Sequence, residues 1–412
     1  MPAPDPRPVG DDELDGLFQG LADVGTLGVA VSGGPDSTAL LHCLHRFAAR
    51  RAPPPRLVVL TVDHGLRPGS AAEADAVCAL ARSLGHGAER LAWVHHDAPP
   101  ASDLQARARA ARYRLLAEAA AGAGCGAVAL AHTLDDQAET FLMRLVRGSG
   151  VYGLAGMAPE RVVDGMRFVR PLLAVPKARL VATCRAAGLA FVDDPSNADA
   201  DRFLRARVRA LAPALAAAGL TAEVLADTAA RLARAAAALD RVTADLEAAA
   251  VTDHGGVVSV EAARLLAAPE EVALRLVSRQ IRRIRPGDHP PRLAPLEAWW
   301  ALVGAAAPAD ACRRTIAGVV LERRAGRIWL YAEAGRRGFP VVPVSAAGSV
   351  LWDGRIRLQV AGPVPPGTVI RAARGDERRP DLPPRAAASL PVVAPAEAAP
   401  EARNGNSISD FQ

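Results

Sequence analysis

A chain of 412 residues, half of them apolar and with a net charge of +5, is long enough for two or three domains with cores of their own. No apolar run approaches the ~20 residues of a membrane span, and the opening MPAPDPRPVGDDELDG has neither the basic start nor the apolar core of a signal peptide. Five widely spaced cysteines without a Cys-x-x-Cys argue against zinc, iron–sulfur and disulfide frameworks and fit a reducing cytoplasm, while a basic excess that is almost all arginine (Lys177 is the one lysine) informs only where arginines cluster.

The first 25 residues read as a short acidic leader and a helix. Residues 27–31 are an apolar run of strand character. Ser32-Gly33-Gly34-Pro35-Asp36-Ser37 breaks it before a helix with Leu40, Leu41, Leu44 and Phe47 at helical spacing. A strand, a glycine turn and a helix start make an anion cradle. Glycine lets the backbone approach a ligand closely, and the first helical N–H groups have no acceptor in the chain. Ser32, Ser37 and Thr38 add hydroxyls. Asp36 is out of place beside phosphates unless it holds a Mg²⁺ that bridges to them. No Gly-Lys-Ser/Thr follows, which excludes a Walker A loop, and the dinucleotide fingerprint is missing.

A second buried strand is predicted at 57–63, running into His64-Gly65-Leu66-Arg67. A Ser70/Glu73 capping box then starts a helix to about residue 84. A third strand at 88–94 follows, then a helix capped by Ser102 and Gln105 and running through about 121. A fourth strand at 127–131 and a helix at 135–147 come next. Strands alternating with helices predict an α/β fold, a Rossmann-like parallel sheet whose ligand site lies at the strands' carboxyl ends. Three loops at those ends, SGGPDS, VDHGLR and AHTLDDQAET, hold most of the candidate chemistry.

A further apolar strand ends at Arg170-Pro171-Leu172-Leu173, and a helix spans about 176–187. Phe191-Val192-Asp193-Asp194-Pro195-Ser196-Asn197 leads into an arginine-rich helix at 202–211. Arg202, Arg205 and Arg209 share one face of it, opposite Leu204, Val208 and Leu211. Pattern alone fits a solvated amphipathic helix equally well. Pro213 and Gly219 mark a boundary. The expected organisation is a catalytic domain at 1–215, a mainly helical domain at 216–335, a small C-terminal module at 336–392 and a disordered tail at 393–412. In the middle domain a long helix at 221–250 carries Leu225, Leu232, Leu239 and Leu246 every seven residues, a seam for packing within the domain or for a coiled-coil dimer. Helices at 272–284 and 294–302 and strands at 319–323 and 327–331 follow. Trp299 and Trp300 sit on a helix, as core or as a platform for bases.

In AHTLDDQAET, Asp135, Asp136 and Glu139 crowd the first helical turns at i,i+3 and i,i+4 spacing. A helix dipole favours an acid there, but three beside His132 and Gln137 need a cation, either metal or ammonium. Asp36 and Asp136 are the candidate metal ligands. AARYR brings Arg112 and Arg114 to the same end of the sheet or beside it.

SGGPDS, VDHGLR, ARYR, AH-x-x-DDQAET, GSGVYGLAGM, RPLL and DDPSN with its arginine-rich helix come in this order over about residues 25–215. Together they resemble the tRNA(Ile)-lysidine synthase family of PP-loop ATP pyrophosphatases. The resemblance implies a two-step reaction with ATP and Mg²⁺. ATP adenylates the C2 oxygen of the wobble cytidine of tRNA(Ile) with anticodon CAU. Free L-lysine then attacks C2 and expels AMP, giving lysidine. It further implies that Ser32, Gly33, Gly34, Pro35, Asp36 and Ser37 hold the pyrophosphate, and that Asp63, His64 and His132 border the adenylate. Arg112 would offset developing negative charge. Asp136 and Glu139 would bind the lysine and help deprotonate its amine, and Arg202, Arg205 and Arg209 would meet tRNA phosphates.

The chain departs from the family pattern in three places. Thr133 stands where a His or Asn is common, Arg202 is followed by Phe203 instead of Asn, and the C-terminal module matches only through Arg378, Arg379 and SLPVV. A PP-loop tRNA thiolase is one alternative, but it needs a catalytic cysteine or Cys-x-x-Cys pairs. A non-catalytic tRNA-binding protein is another, but Asp36 and the DDQAET acids are intact.

Overall fold

A computed structural model describes residues 6–65, 69–93, 104–192, 204–287, 290–305 and 312–395. The chain divides into two compact units, Met1–Ala236 and Ala237–Gln412. In chain order the first unit reads α1 (Asp11–Leu17), β1 (Thr26–Ala30), α2 (Pro35–Ala49), β2 (Arg56–Asp63), α3 (Ser70–Ser83), β3 (Gly87–Ala92), α4 (Leu104–Gly122), β4 (Ala127–Ala129), α5 (Leu134–Val146), α6 (Val151–Leu154), β5 (Glu160–Val163), β6 (Met166–Val169), α7 (Lys177–Ala186) and α8 (Leu204–Ala217), and α9 (Ala222–Ala250) begins in it. Among the described residues the six strands form one sheet in the order β3-β2-β1-β4-β6-β5. Every neighbouring pair is parallel except β5 with β6.

Alternation along the strands supplies two cores. Leu27 and Val29 of β1 and Leu57 and Val59 of β2 pack on α1, α2, α3 and α7. Val58 and Leu60 of β2, Val128 of β4 and Phe168 of β6 face the other way, onto Leu116, Ala117 and Ala120 of α4. A buried leucine on either side contributes about 1.5–3 kcal/mol. The parallel sheet and the order of its helices follow the sequence pattern, but the edge strand β5 was not foreseen. Its signal is Asp164-Gly165, with φ of 49° and 77°. Two consecutive positive φ values make the tight turn that a two-residue hairpin requires.

Two local expectations differ. Ser70 does not cap α3. The residue before it, Gly69, takes a left-handed φ of 91° with no side-chain cap, and the Ser70 hydroxyl instead donates to Asp63 Oδ1 at 2.6 Å. Pro213 does not end α8, which continues to Ala217. The stop is Gly219 at φ +87°, where Leu220 N–H closes onto Leu215 O at 2.8 Å. The caps expected from Ser102 and Gln105 lie outside the described residues and side chains.

Helices α1 and α7 are joined by an ion pair from Arg179 Nη2 to Glu13 Oε2 at 2.6 Å. That hydrogen bond is the main reason the Glu13 carboxyl is held down at about 2, against an ordinary 4.5. A depressed folded value means stability present above 4.5 and lost as pH falls through 2. Glu13→Gln should therefore cost about 1 kcal/mol at neutral pH, after allowance for solvent screening. It should also flatten the loss of stability between pH 4.5 and 2, read as urea midpoints across that range.

Three of the four heptad leucines of α9 pack within the chain. Leu225 and Leu232 join Ala138 and Phe141 in the first unit, and Leu246 packs on the core of the second. The second unit holds α10 (Ala262–Ala267), α11 (Glu270–Ile284) and α12 (Leu293–Ala305) beside a five-stranded antiparallel sheet in the order β7-β8-β11-β10-β9. Its strands are β7 (Val251–Asp253), β8 (Val257–Glu261), β9 (Arg313–Ile316), β10 (Val319–Arg324) and β11 (Arg327–Ala332). Trp299 is fully buried in that core, with Trp300 packed at its edge, so Trp299 offers no face to a base. Short antiparallel strands follow, the last of which, Pro391–Pro395, pairs with Thr368–Ala372. Residues 393–395 of the expected tail are thus in a strand, and the rest of the tail lies outside the described residues. No single helix among the described residues is long and apolar enough to cross a membrane.

Candidate active site

The turn from β1 to α2 passes over the carboxyl end of the sheet. Gly33 takes φ +83°, and its carbonyl accepts from Val192 N–H at 2.9 Å. The loop is stapled by Ser37, whose Oγ donates to Gly34 O at 3.1 Å and accepts from Ser32 N–H at 3.1 Å. Pro35 opens α2 with Gly34 as an N-cap that supplies no side-chain bond. The N–H groups of Asp36 and Ser37 therefore leave the first turn without a helical acceptor, at the positive end of the dipole. The predicted cradle is thus in place.

The cradle forms one wall of a cavity of about 570 Å³. Ser32, Gly34, Pro35, Asp36 and Ser37 line it, with His64 and Glu73 beyond β2, Arg112 from α4, His132 after β4 and Lys177 from α7. Leu60, Leu116 and Leu130 give it an apolar side. Burial pushes the Asp36 carboxyl up to about 6, with Asp136 and Asp135 adding to the rise and Lys177 opposing it. Lys177 Nζ lies 3.4 Å from Asp36 Oδ2. Asp36 Oδ1 is buried and has no hydrogen-bond partner. His132 is half-buried, and its buried Nδ1 is likewise unpartnered. Burial, against the pull of Asp136 and helped by Arg170, Arg112 and Arg109, holds it down at about 3, so the ring is neutral at pH 7. Arg112 is set deep among protein atoms although part of it opens on the cavity. Burial lowers its proton affinity, yet an arginine so placed stays charged.

The acids of DDQAET separate into three roles. Asp135 Oδ2 accepts from Lys177 N–H at 2.7 Å and so caps α7. Asp136 and Thr133 form a reciprocal capping box on α5, with Asp136 Oδ2 accepting from Thr133 N–H at 2.9 Å. A threonine at the departure from the family pattern is thus a good N-cap. Asp136 Oδ1 remains, 3.4 Å from Arg205 Nη2. Glu139 is 8% exposed and sits between two guanidiniums, Arg205 Nε and Arg209 Nε, each at 2.8 Å. The Arg209 contact is a hydrogen bond; the Arg205 contact is an ion pair out of line for one.

Several expectations change on this geometry. Arg205 and Arg209 were expected to meet tRNA phosphates, but α8 packs on α5 and turns both onto Glu139. Arg202, Leu66, Arg67 and the DDPSN loop from Asp193 onward lie outside the described residues. Asp63 is not part of the cavity wall. Its Oδ1 accepts from Gly65 N–H at 3.0 Å and from Ser70, and its Oδ2 from Arg90 at 2.9 Å. The Ser70 bond leads in holding its carboxyl below the usual range. It is an anchor for the loop that carries His64. Gly33 shapes the cradle without lining it. Lys177 was missed as a site residue, although its being the one lysine of the chain was a signal. Among the described residues no three His, Cys, Asp or Glu side chains are grouped to hold a metal. A Mg²⁺ bridged to phosphates needs only one or two carboxylates, and the orphaned Asp36 Oδ1 fits that need.

A Gly-rich turn opening a helix over a cavity at the carboxyl end of a parallel sheet defines an ATP-using PP-loop protein, and the PP-loop domain family model matches residues 12–215. The tRNA(Ile)-lysidine synthase of Methylobacterium sp. (strain 4-46) is 50% identical over 318 residues, 75% of this chain and 89% of that protein. That of Methylobacterium nodulans is 48% identical over 315 residues, 75% of this chain and 91% of that protein. That of Rhodopseudomonas palustris is 44% identical over 347 residues, 82% and 99% respectively. The chain belongs to the tRNA(Ile)-lysidine synthase family.

Proposed function

We propose that the protein ligates free L-lysine to C2 of the wobble cytidine of tRNA(Ile) with anticodon CAU, through an adenylated cytidine. The observation that carries this reading is the pairing of two opposite sites at one sheet end. An anion cradle with an orphaned carboxylate oxygen lies beside two carboxylates, Asp136 and Glu139, that already hold cationic groups. A nucleotide triphosphate suits the first and a lysine ammonium the second.

In the first step the cytidine C2 oxygen bonds to the α-phosphorus of ATP and the bond to pyrophosphate breaks. The SGGPDS amides and Lys177 hold the departing charge, and Arg112 faces the nucleotide from the opposite wall. Leu60, Leu116 and Leu130 shield the base from water. Mg²⁺ would be held by the unpartnered oxygen of Asp36, with Asp136 Oδ1 available once it leaves Arg205, and would neutralise the phosphates when bound. In the second step an amine of lysine bonds to C2 and AMP leaves. Asp136 and Glu139 orient the ammonium and take the proton it must lose before it is nucleophilic. A thiolase reading has no thiol to use, since Cys43, Cys78, Cys125 and Cys184 are buried and none of the five cysteines lines the cavity.

The test is mass spectrometry of wobble nucleosides after incubation with ATP, Mg²⁺, lysine and tRNA(Ile), alongside pyrophosphate release. A lysine adduct on cytidine, and release that requires tRNA, is the expected result. Pyrophosphate release without tRNA, or a sulfur adduct, overturns it.

A further inference from the structure

Arg205 and Arg209 of α8 are engaged with Glu139, and α4 and the β5–β6 hairpin carry a second basic surface. Tyr113 of α4 is buried, its ring edge-to-face on Phe168 with centroids 4.9 Å apart. Three guanidiniums surround that ring. Arg109 lies 5.3 Å from its centroid, Arg112 5.8 Å and Arg161 5.9 Å. A fourth, buried Arg170, donates to the Tyr113 hydroxyl at 3.3 Å, and Arg109 reaches the same oxygen at 3.4 Å. Among the described residues none of these four pairs with a carboxylate. Elsewhere in this unit Arg46, Arg90, Arg167, Arg179, Arg205 and Arg209 all do.

Four like charges around one phenol repel unless an anion joins them. Stacking accounts for one guanidinium on a ring face, not for four about a single ring. The field also has a direction. Arg109 and Arg161 are exposed, while Arg112 opens on the ATP-side cavity. The positive charge therefore runs from open surface to the wall of the cavity. Neither Arg109 nor Arg161 lines that cavity, so a nucleoside triphosphate held within it would not reach them, whereas a chain of phosphates would.

We infer that Arg109 and Arg161, backed by Arg112 and Arg170, seat the phosphodiester backbone of the RNA strand that delivers the target base to the cavity. This rests on the proposed function for the identity of the RNA. Phosphate contacts of this kind position a strand without reading its sequence, and they make its affinity depend on salt.

The experiment is the full-length double variant Arg109→Ala plus Arg161→Ala, titrated with a CAU anticodon stem-loop at several salt concentrations and, separately, with ATP. The dissociation constant for RNA should rise roughly ten-fold near 0.1 M salt, and the salt slope should flatten by about 1–2, as for the loss of two phosphate contacts. ATP affinity should change less than about two-fold, since neither side chain lines the cavity. Arg109→Lys plus Arg161→Lys should recover most of the RNA affinity because it keeps the charge. Unchanged RNA affinity and slope in the alanine variant overturn the inference, as does a loss confined to ATP. If the unsubstituted protein makes lysidine while the alanine variant binds RNA normally, this surface alone is wrong. If the variant loses RNA affinity while the unsubstituted protein makes no lysidine, the surface stands and the proposed reaction falls.

Discussion

Asp36→Asn should leave the protein folded and reduce tRNA-dependent pyrophosphate release by roughly 10³-fold or more, the scale seen when a charge-stabilising group is removed from a phosphoryl-transfer site. Asp36 faces the cradle with Oδ1 buried and unpartnered and Oδ2 at 3.4 Å from Lys177. An amide of the same shape keeps the packing and loses the charge that a hard cation needs. Burial already disfavours the ionised carboxylate, so its removal does not lower thermal stability in the absence of nucleotide. That combination, an unchanged or raised Tm with turnover gone, distinguishes an acid kept for binding from one kept for folding. The rise in Tm on adding ATP and Mg²⁺ should shrink in the same variant, a readout independent of turnover. Near-normal turnover, or a collapse of the fold, removes Asp36 from the reaction. Lys177→Gln tests the other side of the pair and should weaken ATP binding; because Lys177 opposes the upward push on the Asp36 carboxyl, its loss should also leave Asp36 less ionised at neutral pH.

The parts of this site that were legible in the sequence are those whose determinants lie close together along the chain. The strand–turn–helix of residues 26–49 depends on apolar spacing, a glycine with positive φ and Pro35 at the first helical position, all within one short segment. The unbroken apolar run Leu57-Val58-Val59-Leu60 likewise foretells a strand buried on both faces. What sequence did not show was pairing over long separations. Glu139 meets Arg209 across 70 residues, and helical periodicity places Arg205 and Arg209 on a face without saying what the face meets. Asp63 is the converse case. A carboxylate at a strand end is well placed for a ligand, yet two hydroxyl and amide donors from the next turn, and Arg90 from β3, use both its oxygens. The β5 strand was hidden because Glu160-Arg161-Val162-Val163 is short and mostly exposed; only the Asp-Gly turn after it carried information.

Glu139→Gln should raise the lysine concentration needed for half-maximal lysidine formation by roughly 10–100-fold, the equivalent of about 1.5–3 kcal/mol for a hydrogen bond to a charged partner. Both Glu139 oxygens are paired with guanidiniums, at 2.8 Å each, so the position already accepts cations. An amide presents one acceptor and one donor, so it repels one guanidinium and holds an ammonium poorly. The cost to folding is smaller than for a fully buried pair, because Arg205 and Arg209 keep 39% and 43% of their side-chain surface exposed and can turn to water. ATP affinity should be almost unaffected, since Glu139 is absent from the cavity wall that Asp36, His132 and Lys177 form. The decisive comparison is therefore between two titrations on one variant. A lysine requirement that rises while the ATP requirement holds places Glu139 in the amine site. If ATP affinity falls and lysine kinetics hold, Glu139 belongs with the metal and the triphosphate, and Asp136 is then the only acid of the pair left to receive the amine.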